Sequence, residues 1–288
     1  MIKKITSMVL VATMAFSFTA CAGKEKDTAT KEQKQEVSAY EVLSDVADVS
    51  EQKGADTTID LDIAAEVESD SFAVKGTIDL KGSSDNKSAY AKADASVQYG
   101  EESQDIKGEA YVDGSSDEYT VYFGGEQAGG WMKMPLDSSM MEQSGVDVEE
   151  YSDAASKEKF DDLFTEENIK KYFDDTAVKE KEVAGVKCYS VTATVNSDTI
   201  KEGMDSLSDV AGEDIDLGDS TCDLEICVAK DTKEIKYIGF DANVGDNEYA
   251  KVSKCSIGIT YNSFDVDTIE IPDDVKSSAV DISSMLSF

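Results

Sequence analysis

The fold of this chain is decided at residues 57–82, which hold two alternating segments, TTIDLDIAAEV (57–67) and SFAVKGTIDLKG (71–82). In both segments apolar residues recur at every second position, and the Glu68-Ser69-Asp70-Ser71 stretch between them is typical of a turn. A period of two places successive side chains on opposite faces of a strand. The pattern therefore predicts an antiparallel hairpin with one apolar face.

The same alternation continues along most of the chain. Six strands are predicted within 55–134 and six more within 177–275, at 178–183, 187–195, 221–229, 234–242, 248–260 and 264–271. Helical spacing of apolar residues predicts helices at 39–53 and 197–211 and a helical insertion over 135–176. This order of elements predicts an α+β fold dominated by an antiparallel β-meander, in one domain over residues 39–288.

The N-terminus carries an export signal. Lys3 and Lys4 precede an uncharged, mostly apolar run of residues 5–18, which is too short to span a bilayer comfortably. The following Thr19-Ala20-Cys21 resembles the lipobox of bacterial lipoproteins, although Phe18 replaces the usual Leu. The resemblance implies cleavage after residue 20 and acylation of Cys21, for example with palmitate. Ordinary secretion with cleavage after Ala20 is the alternative.

The expected mature protein is a tethered, strongly acidic domain. Residues 21–38 are polar and predict a flexible tether between Cys21 and the domain. The expected location is the extracytoplasmic face of the cell membrane, with the lipid on Cys21 as the anchor. The chain of 288 residues has a net charge of −34, which becomes −36 when Lys3 and Lys4 are removed with the signal.

The composition excludes several classes of function. The chain has 27 basic and 61 acidic residues, no His, and only Lys among its basic residues. Without His there is no Ser-His-Asp catalysis, and without Arg there is no bidentate fork for phosphate. Nucleic acid is not an expected partner, because binding it requires cationic residues that neutralise phosphates. We expect a protein that is not an enzyme and has no cofactor.

Acidic residues offer few candidate sites. The pairs Asp60/Asp62, Asp161/Asp162 and Asp265/Asp267 are interpreted as solvated outer positions, since no sequence feature places them in a cleft. Residues 213–219, EDIDLGD, have acids at a suggestive spacing but lack the glycine register and closing Glu of an EF-hand. No dedicated metal site is predicted, although this loop is the alternative to test for Ca²⁺.

Four cysteines remain besides Cys21: Cys188, Cys222, Cys227 and Cys255. The five-residue step between Cys222 and Cys227 differs from a zinc knuckle. If the second and third strands of the second block are antiparallel neighbours, Cys188 and Cys227 can approach each other and form a disulfide. Four free thiols are the other possibility, and the sequence leaves both open.

Two segments carry a resemblance to a known family. A Tyr119–Met134 segment that ends in Gly-Gly-Trp-Met-Lys-Met precedes the helical insertion, and Ile-Glu-Ile-Pro (269–272) closes the last predicted strand. With the opening helix and long alternating strands, this order resembles LolA/LppX-like lipoproteins, particularly uncharacterised ones of Gram-positive bacteria. The resemblance implies a half-barrel of about eleven antiparallel strands whose concave face is covered by helices and holds lipid or another apolar ligand.

These observations together predict a lipoprotein that binds or carries a lipid or another apolar ligand. The residues expected to line the cavity are Ile59, Leu61, Ile63, Val74, Ile78, Leu80, Val97 and Trp131. Trp131, the only tryptophan, could instead be a core aromatic residue. The alternative function is a structural or interaction module with a filled core, which would bind a protein or a cell-wall component.

Overall fold

A computed structural model gives the architecture of residues 37–47, 53–67, 70–83, 87–114, 119–125, 129–136, 165–173, 176–196, 220–243 and 250–283. Outside these described residues lie the predicted signal, Cys21, residues 22–36 of the predicted tether, residues 137–164 of the predicted helical insertion with Asp161 and Asp162, the predicted helix at 197–211 and the acidic loop at 213–219.

The described residues form one 12-stranded sheet and three helices. The strands are β1 (Gly54–Val67), β2 (Asp70–Ser83), β3 (Ser88–Tyr99), β4 (Glu102–Asp113), β5 (Tyr119–Gly125), β6 (Gly130–Leu136), β7 (Lys179–Val183), β8 (Val186–Asn196), β9 (Thr221–Ala229), β10 (Ile235–Asn243), β11 (Ala250–Ser263) and β12 (Val280–Asp281). The helices are α1 (Ala39–Ser44), α2 (Glu166–Phe173) and α3 (Asp273–Ser278).

The sheet is open, and its strands lie in the order β12-β6-β5-β4-β3-β2-β1-β11-β10-β9-β8-β7. Every pair is antiparallel except the two-residue pairing of β12 with β6, which is parallel. The two sheet blocks are joined at the centre by β1 and β11, which pair over residues 56–67 and 250–263. The predicted α+β half-barrel of about eleven antiparallel strands is confirmed.

Two sequence-based boundaries were wrong. The opening helix ends at Ser44, not at residue 53, and β1 already begins at Gly54. Ser38 begins this helix with a capping box, in which its hydroxyl accepts from the Glu41 amide while the Glu41 carboxylate accepts from the Ser38 amide. The helix is capped at Asp45, and the Ala47 amide then donates to the Lys233 carbonyl and not to the preceding turn.

The predicted strand at 264–271 is also wrong. Residues 264–272 are irregular and lead into α3 and β12, which returns to the edge of the sheet beside β6. We call residues 264–282 the C-terminal strap. The Ile282 amide donates to the Lys133 carbonyl, so the strap covers part of the β6 edge, an edge that would otherwise offer unpaired backbone groups.

The largest core cluster forms where α1 and α2 pack on one face of β8–β10. Leu43 of α1 and Ile169 of α2 are each only 1% exposed and belong to one core cluster with Val191, Ile226 and Ile238 of the sheet. We call this face of the sheet the inner face and the opposite one the outer face. A helix pair therefore fills one part of the inner face.

Candidate functional site

Register across the sheet defines three continuous apolar rows on the inner face. Each row runs across eight strands from β8 to β4. The first is Val191, Ile226, Ile238, Ile259, Ile59, Ile78, Ala93 and Gly108; the second is Ala193, Leu224, Phe240, Ile257, Leu61, Gly76, Ala95 and Ile106; the third is Val195, Cys222, Ala242, Cys255, Ile63, Val74, Val97 and Gln104.

These rows contain no charged residue, and their single residue with a strongly polar side chain is Gln104. A fourth row, from β11 to β6, holds Tyr261, Thr57, Leu80, Ala91, Ala110, Phe123 and Met132. Such a surface is costly to leave in water and favours contact with apolar groups.

Burial of the inner face falls from the centre of the sheet towards β4. Ile59 and Ile259 at the centre are each 2% exposed, whereas Ile106 on β4 is 47% exposed. Between them, β3 and β4 present the small residues Ala91, Ala93, Gly108 and Ala110, while β2 presents the larger Ile78 and Leu80. We call this region the inner trough; its residues are Ile78, Leu80, Ala91, Ala93, Ala110 and Phe123, all half-buried.

Seven of the eight predicted cavity residues lie on the inner face. They are Ile59, Leu61, Ile63, Val74, Ile78, Leu80 and Val97, and the register brings them together in adjacent rows. Only Ile78 and Leu80 belong to the trough itself, because Ile59 and Leu61 are buried in the cluster with Ile259. The sequence pattern missed Ala91, Ala93, Ala110 and Phe123. For Ala91 and Ala93 the signal was the Ala at every second position of β3.

Trp131 does not line this surface. It pairs with Gly124 and lies on the outer face, where its ring centroid is 5.7 Å from that of Tyr111. Together with Tyr122 it packs against Ile271 and Val275 of the C-terminal strap. The interpretation of Trp131 as a core aromatic residue therefore fits the structure, and its placement in the cavity was wrong.

The outer face carries the charged residues. Asp62 accepts from Lys254 at 2.5 Å and lies 3.4 Å from Lys75, and Lys81 lies 2.8 Å from Asp56. The hydrogen bond from Lys254 is the main cause that lowers the pKa of Asp62. Asp60 and Asp62 are thus on the solvated face, as the alternation predicted, and their chemistry is that of surface ion pairs.

A second network on the outer face is partly buried. Glu225 accepts from Lys181 and Ser190, each at 2.7 Å. Burial would raise the pKa of the Glu225 carboxyl, but the bonds from Lys181 and Ser190 outweigh it and lower the pKa. The Lys181 ammonium also lies 4.7 Å from the ring centroid of Tyr237. The network joins β7 to β9 and β10 and involves no nucleophile with a depressed pKa.

The four cysteines divide between the two faces. Cys222 and Cys255 lie on the inner face with Ala242 between them, and Cys188 and Cys227 lie on the outer face. The register sets Ser190, not Cys188, opposite Cys227, so the two thiols are diagonal neighbours and both are free. Of the two possibilities that the sequence left open, the structure has the four free thiols and no Cys188–Cys227 disulfide. Diagonal positions lie about 7–8 Å apart, beyond the usual Cα separation of a disulfide.

Two clefts accompany the trough. One of about 390 Å³ lies between α1 and the ends of β8 and β9, and among its lining residues are Val42, Tyr189, Val228 and Lys233. The other, of about 270 Å³, is a polar groove on the outer face beside Tyr237 and Gly258. No group of His, Cys, Asp or Glu side chains within the described part of the chain could hold a metal ion.

The geometry defines a class of protein: an α+β half-barrel with a charged outer face and an inner face that is apolar and partly open. The chain belongs to the family described as "Family of unknown function (DUF6612)", which matches residues 38–280. None of the curated proteins matches this sequence.

Among the solved structures that are similar to this chain, one matches it over most of its length. It is a DUF1329 family protein from Desulfovibrio piger, 12% identical, and the match covers 82% of this chain and 94% of that chain with a TM-score of 0.19. Separately, none of the helices within the described residues has the length and hydropathy of a membrane span.

Proposed function

We propose that this protein is an extracytoplasmic lipoprotein, anchored through Cys21, that binds a lipid or another apolar molecule on the inner face of its half-barrel without catalysing a reaction. The single observation that carries the proposal is the absence of charge from the three inner rows, in a chain with 61 acidic residues.

The arrangement favours an apolar ligand for a simple energetic reason. Removing apolar surface from water contributes roughly 25 cal/mol per Å², or about 0.8 kcal/mol per CH₂ group. The trough exposes such surface beside Ala91 and Ala93, whose small side chains leave room above β3. Charged molecules gain no partner there, since every charge in these strands faces outward or lies at the ends of the strands.

The binding proposal is tested by blocking the trough. Ala93→Phe places a ring over Gly108 and Ile78 without adding charge. The matched control is Ser96→Phe, which adds a ring on the outer face of the same strand. The full chain is extracted in detergent, and native mass spectrometry counts the lipid bound to each variant. We also measure binding of the neutral apolar dye N-phenyl-1-naphthylamine by fluorescence.

We expect the wild type and Ser96→Phe to retain the ligand and to bind the dye, and Ala93→Phe to lose at least tenfold in dye affinity. Equal dye binding by both variants would show that the trough is not the site. A wild type that retains no lipid and binds no dye would overturn the proposal and favour the interaction module.

The anchor has its own test. Cys21→Ala removes the only cysteine in the lipobox-like sequence, so the protein should move from the membrane fraction to the medium. Cys188→Ala, which removes a buried thiol of the domain, is the control and should leave the protein at the membrane. Continued membrane retention of the Cys21 variant would contradict the lipid anchor.

A further inference from the structure

The fourth row places two hydroxyl groups side by side on an otherwise apolar face. Tyr261 of β11 pairs directly with Thr57 of β1, and the row continues through Leu80 and Ala91 into the trough. Tyr261 and Thr57 are the only hydroxyl-bearing residues in the four rows. Strands lie about 4.8 Å apart, so Tyr261 is roughly 10 Å from Leu80 along the row.

Tyr261 lies at the junction of the two halves of the inner face. Its side chain packs against the cluster under α1 and α2 and also against the cluster around Ile59. The ring stacks on Phe264, with centroids 5.2 Å apart and planes inclined by 20°. These contacts fix the ring, and the residue nevertheless keeps a partly exposed surface.

The hydroxyl of Tyr261 sits in an environment that disfavours charge. Burial alone raises its pKa to about 12, so the group is a neutral O–H donor at any physiological pH. The ammonium of Lys236 lies beside this aromatic pair, with its Nζ 5.6 Å from the Phe264 ring centroid. Glu234 neutralises that ammonium at 2.9 Å.

We propose that the Tyr261 hydroxyl is the polar recognition point of the inner face, where it donates a hydrogen bond to a neutral acceptor on an apolar ligand. The ligand would be a long-chain molecule that carries an ester, ketone or similar oxygen. This inference rests on the proposed binding function and specifies its ligand class. A neutral acceptor fits because the rows supply no cation to pair with a carboxylate or a phosphate.

The probe pair that tests this is a C16 methyl ester and the alkane of matching length, each competing with N-phenyl-1-naphthylamine on the full chain in detergent. The variant is Tyr261→Phe, which keeps the ring and its stacking on Phe264 and removes the hydroxyl. Tyr237→Phe is the control, because Tyr237 lies on the neighbouring strand β10 but faces the outer side of the sheet.

We expect the wild type and Tyr237→Phe to prefer the ester about three- to tenfold, the range for one neutral hydrogen bond. Tyr261→Phe should bind ester and alkane alike and keep the wild-type affinity for the alkane. An ester preference that survives in Tyr261→Phe would overturn the inference while leaving apolar binding intact. If the wild type did not bind the dye at all, the proposed function itself would be contradicted.

Discussion

At the scale of single residues, glycines allow the closest approach of strands. A Cβ added at Gly76 would lie 2.3 Å from the Ala95 Cα and 2.4 Å from the Asp94 carbonyl oxygen, both backbone atoms of β3. Gly108 lies on β4, on the same inner face. The atom nearest to a Cβ added at Gly108 is the Gly124 carbonyl oxygen, 4.0 Å away. The two positions look alike in sequence, and only their surroundings distinguish them.

Gly76→Ala should therefore destabilise the protein by about 1–3 kcal/mol, because the backbone of β3 must shift to make room. Gly108→Ala is the control and should change the free energy of unfolding by less than about 0.5 kcal/mol. Urea denaturation followed by circular dichroism measures both. Similar effects of the two substitutions would contradict the close approach at Gly76.

The thiols are a second residue-scale case. Burial is the main cause that raises the pKa of Cys222 to about 11 and that of Cys227 to about 12. Since the thiolate is the reactive form, both thiols should be unreactive at pH 8 while the protein is folded.

We expect Ellman's reagent to react with these cysteines far more slowly in the folded protein than in urea. When the protein is unfolded without reductant, four of its thiols should react with the reagent, those of Cys188, Cys222, Cys227 and Cys255, which are free in the structure. Reaction of only two of these thiols would show that a disulfide forms in the isolated protein. Equal rates in the folded and unfolded protein would contradict burial of the thiols.

At the scale of elements, the C-terminal strap is the part that sequence periodicity described least well. Val275 of α3 is 3% exposed and packs with Ile271 on Tyr122 and its aromatic neighbours. Lys53, just before β1, donates to Asp267 at 3.2 Å, so the strap is also held along the end of the sheet. Trp131 lies in the contact with α3 and can report on it.

Val275→Ala should lower stability by about 2 kcal/mol, since it removes buried methyl groups beneath a short helix. It should also shift the emission of Trp131 to longer wavelength, because water reaches the indole when α3 loosens. Ser278→Ala, an exposed position of the same helix, is the control and should change neither property. Unchanged emission in Val275→Ala would contradict the packing of α3 beside Trp131.

At the scale of the whole molecule, charge and apolar surface are segregated by the two faces of one sheet. Lys–Asp pairs such as Lys107–Asp94, at 3.2 Å, offset part of the negative charge on the outer face. The remainder is large, since the chain has a net charge of −34. Such a charge opposes the compact state through self-repulsion.

Sodium chloride at 0.5 M should therefore raise the midpoint of thermal unfolding, because screening weakens this repulsion more than it weakens exposed ion pairs. Scanning calorimetry at pH 7 measures the midpoint in low and high salt. Sucrose at equal osmolality is a control for general exclusion effects. A lower midpoint in salt would show that the ion pairs dominate.

The sequence by itself determined the strands β1–β11 and which of their faces are apolar. Alternation in β1–β6 and in β7–β11 is a local property, set by the opposite directions of successive side chains, and it survives in the structure. The assignment of Ile59, Ile78 and Leu80 to one face followed from that alternation alone.

Only the tertiary structure decided what each face meets. The apolar spacing at 45–47 continues the helical period, yet the Ala47 amide donates to the Lys233 carbonyl and not to the helix. Residues 264–271 alternate as a strand would, but Phe264 stacks on Tyr261 while Ile271 packs with Tyr122 and Val275. Trp131 is apolar, yet its position in β6 directs it to the outer face, where it lies under the C-terminal strap and not in the trough. The pairing of Tyr261 with Thr57 depends on a register between strands some 200 residues apart, which no local pattern contains.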